Sequence, residues 1–235
     1  MTNFLQELKN FIKSILNYIY CLVGFSFLFF LFPFNKPFSL SFFDIIKKDL
    51  LPNGVQLIVT NPMSAFLSQM IISIALALIV ISPFIIYGVI KYLSPALYKK
   101  EKNTLLKIII PSTFLFVAGC VFSYFFIIPS TFKILYSFTT TLEVLPFFEA
   151  REFVYSVMGL ILAVGVMFLL PIFMGILSWV GLINYNFWKN NWRYAFLVFI
   201  IFSAIITPDG TGITMTILTI PLVGLYGVGM IVSRK

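Results

Sequence analysis

Long unbroken apolar runs, and not short alternating ones, set the pattern of this chain. A helix needs about 20 apolar residues to cross a hydrocarbon core about 30 Å thick. Six runs qualify or come near: Ile15–Phe34, Ala65–Ile90, Ile108–Ile128, Phe153–Val180, Tyr194–Ile206 and Ile213–Val232. Backbone groups in lipid must find partners within their own segment, so the runs are expected to be helices. A β-barrel would show short segments of alternating polarity. The expected fold is all-α: a polytopic membrane protein of about six transmembrane helices, forming one integral membrane domain over residues 1–235. No small-residue cleavage pattern follows the first run, so it is expected to stay in the mature protein.

Two runs depart from the ideal length. Tyr194–Ile206 has 13 residues, about 20 Å of helix, and is expected to be a short fifth span that borrows length from Trp188 and Trp192 or thins the bilayer. Thr207-Pro208-Asp209-Gly210 then reads as a tight turn. Phe153–Val180 is overlong, and Pro171 is expected to kink it, because the ring removes one hydrogen bond and clashes with the carbonyl of Met167.

Composition sharpens this picture. Of 235 residues, 60% are hydrophobic and 10% charged, against about 25% charged in a soluble domain. Lipid must be the main solvent. The charges that remain are placed asymmetrically. With the N-terminus inside, the inner segments hold Lys9, Lys13, Lys91, Lys99, Lys100, Lys102, Lys107, Lys189, Arg193, Arg234 and Lys235. The outer segments hold only Lys36, Lys47, Lys48, Lys133 and Arg151. Asp44, Asp49, Glu143, Glu149, Glu152 and Asp209 lie outside, with Glu7 and Glu101 inside. This bias orients the protein with both ends in the cytoplasm. The net charge of +8 therefore reflects orientation and not nucleic-acid binding.

Candidate chemistry is sparse. Histidine is absent, which removes His-ligated haem, the usual zinc sites and Ser–His or Cys–His nucleophile pairs. Cys21 and Cys120 fall in apolar runs and read as packing residues. No span carries Lys, Arg, Asp or Glu, the groups that mark ion pathways and proton relays. An ion-coupled carrier is disfavoured, an uncoupled facilitator stays open, and neither a catalytic site, a metal nor a cofactor is expected. The spans hold many small and weakly polar residues that let helices pack closely, so the membrane body reads as a shaped scaffold.

The cytoplasmic face holds two acids. Phe4, Leu8, Phe11, Ile12 and Ile15 share one helical face of the first segment, with Gln6, Asn10, Lys13 and Asn17 opposite. Glu7 stands at the edge of the apolar stripe. This segment is expected to lie in the interface before turning into the first span. The loop after the second span runs Tyr92-Leu93-Ser94-Pro95-Ala96-Leu97-Tyr98-Lys99-Lys100-Glu101-Lys102. Ser94 can cap a helix that starts at Pro95. Taken alone, Glu7 and Glu101 read as solvated residues paired locally with lysines.

Ser94-Pro95-Ala96-Leu97-Tyr98-Lys99-Lys100-Glu101 resembles the first cytoplasmic loop of the TatC family, the core subunit of the twin-arginine, or Sec-independent, protein translocase. The resemblance runs along nearly the whole chain. Glu7-Leu8-Lys9 is similar to the family's N-terminal Glu-Leu-Arg. Pro83 and Tyr87 fit the second span, Phe116, Gly119, Phe122, Tyr124 and Pro129 the third, and Phe168 and Pro171 the fourth. Arg193-Tyr194 opens the fifth, Thr207-Pro208-Asp209 resembles the turn after it, and Pro221 and Tyr226 fit the sixth.

The resemblance implies a receptor for folded precursors whose signal peptides carry paired arginines. Glu7 and Glu101 would receive that pair, with Lys9, Tyr92, Pro95 and Tyr98 shaping the site. Pro83, Phe122, Tyr124, Pro171, Pro208 and Asp209 would serve structure and partner contact. It also implies TatA/TatB-like single-span partners, self-association, and export driven by the proton-motive force in a bacterial plasma membrane or the inner membrane of an organelle. Departures are specific. Leu169 stands where the family has a glutamate in span four, Lys9 where it has arginine, Phe4 where histidine is common, and Gly227 where an acid often follows the tyrosine. The alternative from another class is a small-molecule permease or lipid flippase lined by the kinked spans. A membrane enzyme would rest on Asp209 alone.

Overall fold

The computed structural model describes residues 2–51, 55–93, 102–141, 147–179, 181–207 and 212–234. The helices among them are α1 (Thr2–Leu31), α2 (Phe38–Leu50), α3 (Pro62–Leu93), α4 (Lys102–Phe122), α5 (Ile128–Thr141), α6 (Ala150–Met167), α7 (Leu170–Trp179), α8 (Tyr185–Asn190), α9 (Trp192–Ile206) and α10 (Gly212–Val232). A π-helical turn, Ser123–Ile127, joins α4 to α5 in one rod. Strands β1 (Gln56–Ile58) and β2 (Phe147–Glu149) pair in parallel, Leu57 opposite Phe148.

Four rods are long and apolar enough to cross a membrane: Pro62–Ile90, Ile108–Ser137, Ala150–Trp179 and Gly212–Val232. The shorter apolar helices Leu16–Leu31 and Trp192–Ile206 complete six passages among the described residues. The fold is thus the all-α polytopic one expected, with a short fifth helix and with two three-residue strands added at one end. Large apolar side chains such as Phe114 and Phe125 point outward at 72% and 66% exposure, which only lipid could solvate.

α6 is the central pillar. Its buried positions, Ala150, Phe153, Val154, Val157, Met158, Leu160, Ile161, Val164 and Gly165, recur at helical spacing and form a broad stripe. Phe153 packs on Phe132 of α5 at 5.2 Å between ring centroids, and Phe148 of β2 meets Phe132 edge-on at 5.9 Å. Where α4 crosses α6, Gly119 and Gly165 face each other so closely that a Cβ on Gly119 would stand 3.0 Å from the Gly165 Cα. Small residues at a membrane helix crossing permit this approach.

The elements differ from the sequence expectation in ways that have causes. The amphipathic N-terminal segment does not turn before entering the membrane. Residues 2–31 form one helix, because the stretch has no proline and a single glycine to interrupt its hydrogen-bond ladder. That helix stops at Leu31 and not at Phe34, since Pro33 offers no N–H and disfavours helical geometry at Phe32. The third rod continues past Ile128 to Thr141. Within it the Ile128 N–H donates to the Ser123 carbonyl five residues back, widening the helix just before Pro129.

In the fourth passage the expected kink is a full break. α6 ends at Met167, α7 begins at Leu170, and the Leu169 N–H turns to the Val166 carbonyl at 3.1 Å. Pro171, buried as the second residue of α7, occupies a first-turn position where a missing N–H costs nothing. α9 begins at Trp192, so that tryptophan does lengthen the fifth span. Trp188 instead belongs to the separate α8.

Candidate functional site

The expected site residues fall on the ends of α1, α3 and α4. α1 lies antiparallel on α3. At one end the Gln69 side chain donates to the Phe30 carbonyl at 3.1 Å, and Phe30 meets Phe66 edge-on at 5.6 Å. At the other end the Tyr18 ring covers Gly88, where an added Cβ would meet it at 2.6 Å. From the Tyr18–Gly88 contact, Glu7 lies eleven residues further along α1, about 16 Å, and Leu93 five residues further along α3, about 7.5 Å. The N-terminal third of α1 therefore projects past the end of α3, on the side where Lys102 opens α4.

Of Glu7, Lys9 and Tyr92 the structure describes the helix position alone; Pro95, Tyr98 and Glu101 lie outside the described residues, as do Pro208 and Asp209.

The residues expected to serve structure have concrete contacts. Pro83 sits inside α3 and leaves the Ile79 carbonyl without its usual donor. The Ser82 hydroxyl donates to that carbonyl at 2.7 Å, so the break in the ladder is repaired by the neighbouring residue. Phe122 stacks on Phe126 at 5.1 Å and leans on Phe168 at 5.5 Å, tying α4 to the α6–α7 break. Leu169 is part-buried at that break and packs on the core. The Tyr124 hydroxyl donates to Asp49 at 2.6 Å, and the π-helical turn that carries Tyr124 aims it toward α2.

The outer end holds structural features the sequence reading missed. α2 buries Ser39, Ile46 and Leu50 and ends at the Tyr124-bonded Asp49. The Thr60 hydroxyl donates to Glu149 at 3.0 Å beside the β1–β2 pair, and Lys36 pairs with Asp44 at 2.7 Å. The signal was present: Phe38–Leu50 has an amphipathic spacing of its own, obscured by the louder apolar runs on either side. At the inner end, the Trp188 indole donates to Ser178 at 3.1 Å and the Tyr226 hydroxyl donates to the Trp188 carbonyl at 2.7 Å, docking α8 between α7 and α10.

These features define a multi-pass helical membrane scaffold whose charged groups gather at its two ends and whose body holds its shape by close helix crossings. The family model described as Sec-independent protein translocase protein (TatC) matches residues 3–221. The "Sec-independent protein translocase protein TatC" of Cenarchaeum symbiosum (strain A) is 36% identical over 192 residues, 82% of this chain and 73% of that protein. A crystal structure of "Twin Arginine Translocase Receptor- TatC" superposes with a TM-score of 0.81 at 28% identity, covering 98% of this chain and 97% of that one. A second, of the same receptor in DDM, superposes with a TM-score of 0.85 at 26% identity over 97% of this chain and 100% of that one. The chain belongs to the TatC family. It is a membrane-embedded component of a Sec-independent protein translocase, a transport subunit and not an enzyme, and this membership displaces the permease reading.

Proposed function

We propose that this chain, as one integral membrane domain over 1–235, is the receptor subunit that binds twin-arginine signal peptides of folded precursors on the cytoplasmic face. Glu7 and Glu101 receive the arginine pair; Lys9, Tyr92, Pro95 and Tyr98 shape the surface around them. Guanidinium presents a planar fork of donors that a carboxylate accepts through both oxygens, and lysine cannot copy that fork. The peptide's apolar stretch adds burial along the spans. TatA/TatB-like single-span subunits and further copies of the chain assemble on the scaffold, and the proton-motive force drives export across a bacterial plasma membrane. Pro83, Phe122, Tyr124, Pro171, Pro208 and Asp209 hold the frame for these contacts.

The observation that supports this reading is the antiparallel lie of α1 on α3. It carries the helix bearing Glu7 to the end where α3 stops at Leu93 and α4 starts at Lys102, the two helices between which Glu101 falls in sequence. The experiment is photo-crosslinking of a twin-arginine peptide to a probe beside Glu101, with a twin-lysine peptide as control. Labelling should need the arginines, and Glu7→Gln or Glu101→Gln should weaken it about tenfold, the scale of a lost charge-assisted pair. Equal labelling by the twin-lysine peptide would overturn the assignment.

A further inference from the structure

A cavity bordered by charged and polar residues opens where α6 begins. Its volume is about 470 Å³, and it is lined by Arg151, Glu152, Tyr155 and Ser156 of α6 and Ile71 of α3. This is a size usual for small-ligand sites. Two other cavities, between α1 and α3 and between α9 and α10, are lined mainly by apolar side chains.

Among the described residues, Arg151, Glu152 and Ser156 have no side-chain hydrogen-bond or ion-pair partner. Among the described residues the ion pair is Lys36–Asp44, and neither Arg151 nor Glu152 takes part in it. Successive residues on a helix diverge by about 100°, so the two charges flank the cavity without neutralising each other. Ser156 is part-buried, yet its hydroxyl does not bond back along the helix as those of Ser68, Ser73, Ser112 and Ser130 do.

Charge placement specifies the ligand. Arg151 lies in the first turn of α6 between two acids, Glu149 at the N-cap and Glu152, and among the described residues it pairs with neither, so its guanidinium is open to an anion from outside the chain. Glu152, one residue on, offers a carboxylate with no cation. A molecule that meets both demands carries a negative and a positive group a few ångströms apart. The aromatic Tyr155, 70% exposed, sits where a tyrosine marks the water–lipid boundary, and Ile71 continues the wall into the apolar zone.

We propose that this cavity binds the head group of a zwitterionic phospholipid with a primary amine, its phosphate on Arg151 and Ser156 and its ammonium on Glu152. The acyl chains run down the α3–α6 seam. A lipid held there would brace α6 against α3 at the outer end of the bundle. The proposal is independent of signal-peptide recognition, which belongs to the opposite end.

Native mass spectrometry of the full chain tests it, counting lipid retained from detergent doped with phosphatidylethanolamine, phosphatidylcholine or phosphatidylglycerol. One phosphatidylethanolamine per chain should survive, about tenfold over either competitor. Glu152→Gln should erase that preference, and Arg151→Gln should lower retention of all three lipids about tenfold, while the helical signal stays unchanged. The comparison of lipids on the unaltered chain decides the matter even where a variant fails to fold. Equal retention of phosphatidylglycerol would mean a simple basic surface and overturn the proposal. So would a preference untouched by Glu152→Gln, or displacement by soluble glycerophosphoethanolamine at matched concentration, which would mean a site for a free metabolite.

Discussion

The α4–α6 crossing yields a prediction with an internal control. A Cβ placed on Gly119 would stand 2.8 Å from Cβ and Cγ of Phe168 and 3.0 Å from the Cα of Gly165. Carbon atoms pack at about 3.5–4.0 Å, and the obstacles are main chain or close to it, so neither can swing aside. The helices must part by about 0.5–1 Å, and overpacking of that kind costs about 1–3 kcal/mol. Alanine's better helix propensity returns about 0.5–1 kcal/mol. Gly119→Ala should therefore lose up to about 2.5 kcal/mol.

At Gly165 the nearest obstacles are the Cys120 Sγ at 2.7 Å and the Phe116 ring edge at 3.0 Å. Removing the sulfur in Cys120→Ala should relieve Gly165→Ala by at least about 0.5 kcal/mol in a double-mutant cycle. It should not rescue Gly119→Ala. Gly159 lies in the same α6 with nothing within 4 Å of its missing Cβ, so Gly159→Ala should be neutral or slightly stabilising. Stepwise addition of SDS to detergent-solubilised protein, followed by far-UV circular dichroism, measures all of these. Were Gly119→Ala to unfold together with Gly159→Ala at or above the wild-type midpoint, the claim that a glycine contact sets this crossing would be refuted.

Three further outcomes follow from single contacts. Tyr124→Phe removes the hydrogen bond to Asp49 and should cost about 1 kcal/mol in the same titration, because the acceptor is charged but solvated; an unchanged midpoint would show that α2 is held without it. Ser82→Ala should cost about 1 kcal/mol in the native chain and almost nothing beside Pro83→Ala, where the ladder regains its own donor. Equal losses in the two backgrounds would show that Ser82 does not repair the proline break. Trp188→Phe deletes the bond to Ser178 while keeping a ring, so amide exchange in α8 should quicken about tenfold with α9 and α10 unaffected; unchanged exchange would mean that α8 is held by its other contacts.

Apolar run length reports which solvent a segment meets, and in this chain that sufficed for the helical class and the number of passages. It says little about where a helix ends or what it touches. α2 went unrecognised because its thirteen residues are too short and too mixed to register as a span, and its partners, Tyr124 and the α3 face, are distant in sequence. The β1–β2 pair joins residues about ninety positions apart through three rungs, below anything periodicity can detect. Pro171 was legible as a disruption but not as a break, since the missing donor allows either a bent helix or two helices, and packing of Phe168 on Phe122 decides between them.

The proposed recognition surface behaves oppositely. Glu7 and the loop holding Glu101 acquire meaning from a local motif, yet the proposed meeting of the two depends on the register of α1 against α3. Tyr18 on Gly88 and Gln69 on the Phe30 carbonyl fix that register from both ends. Neither contact has a sequence signature, because a glycine under a tyrosine and a glutamine capping a foreign helix are ordinary residues in ordinary runs. A change at Gly88 should thus disturb the proposed signal-peptide capture without touching a proposed recognition residue. Gly88→Leu would push α1 off α3, and crosslinking at the loop should fall while a detergent-stable helical fold survives. If capture persisted with α1 displaced, the register of the two helices would not be what assembles the site.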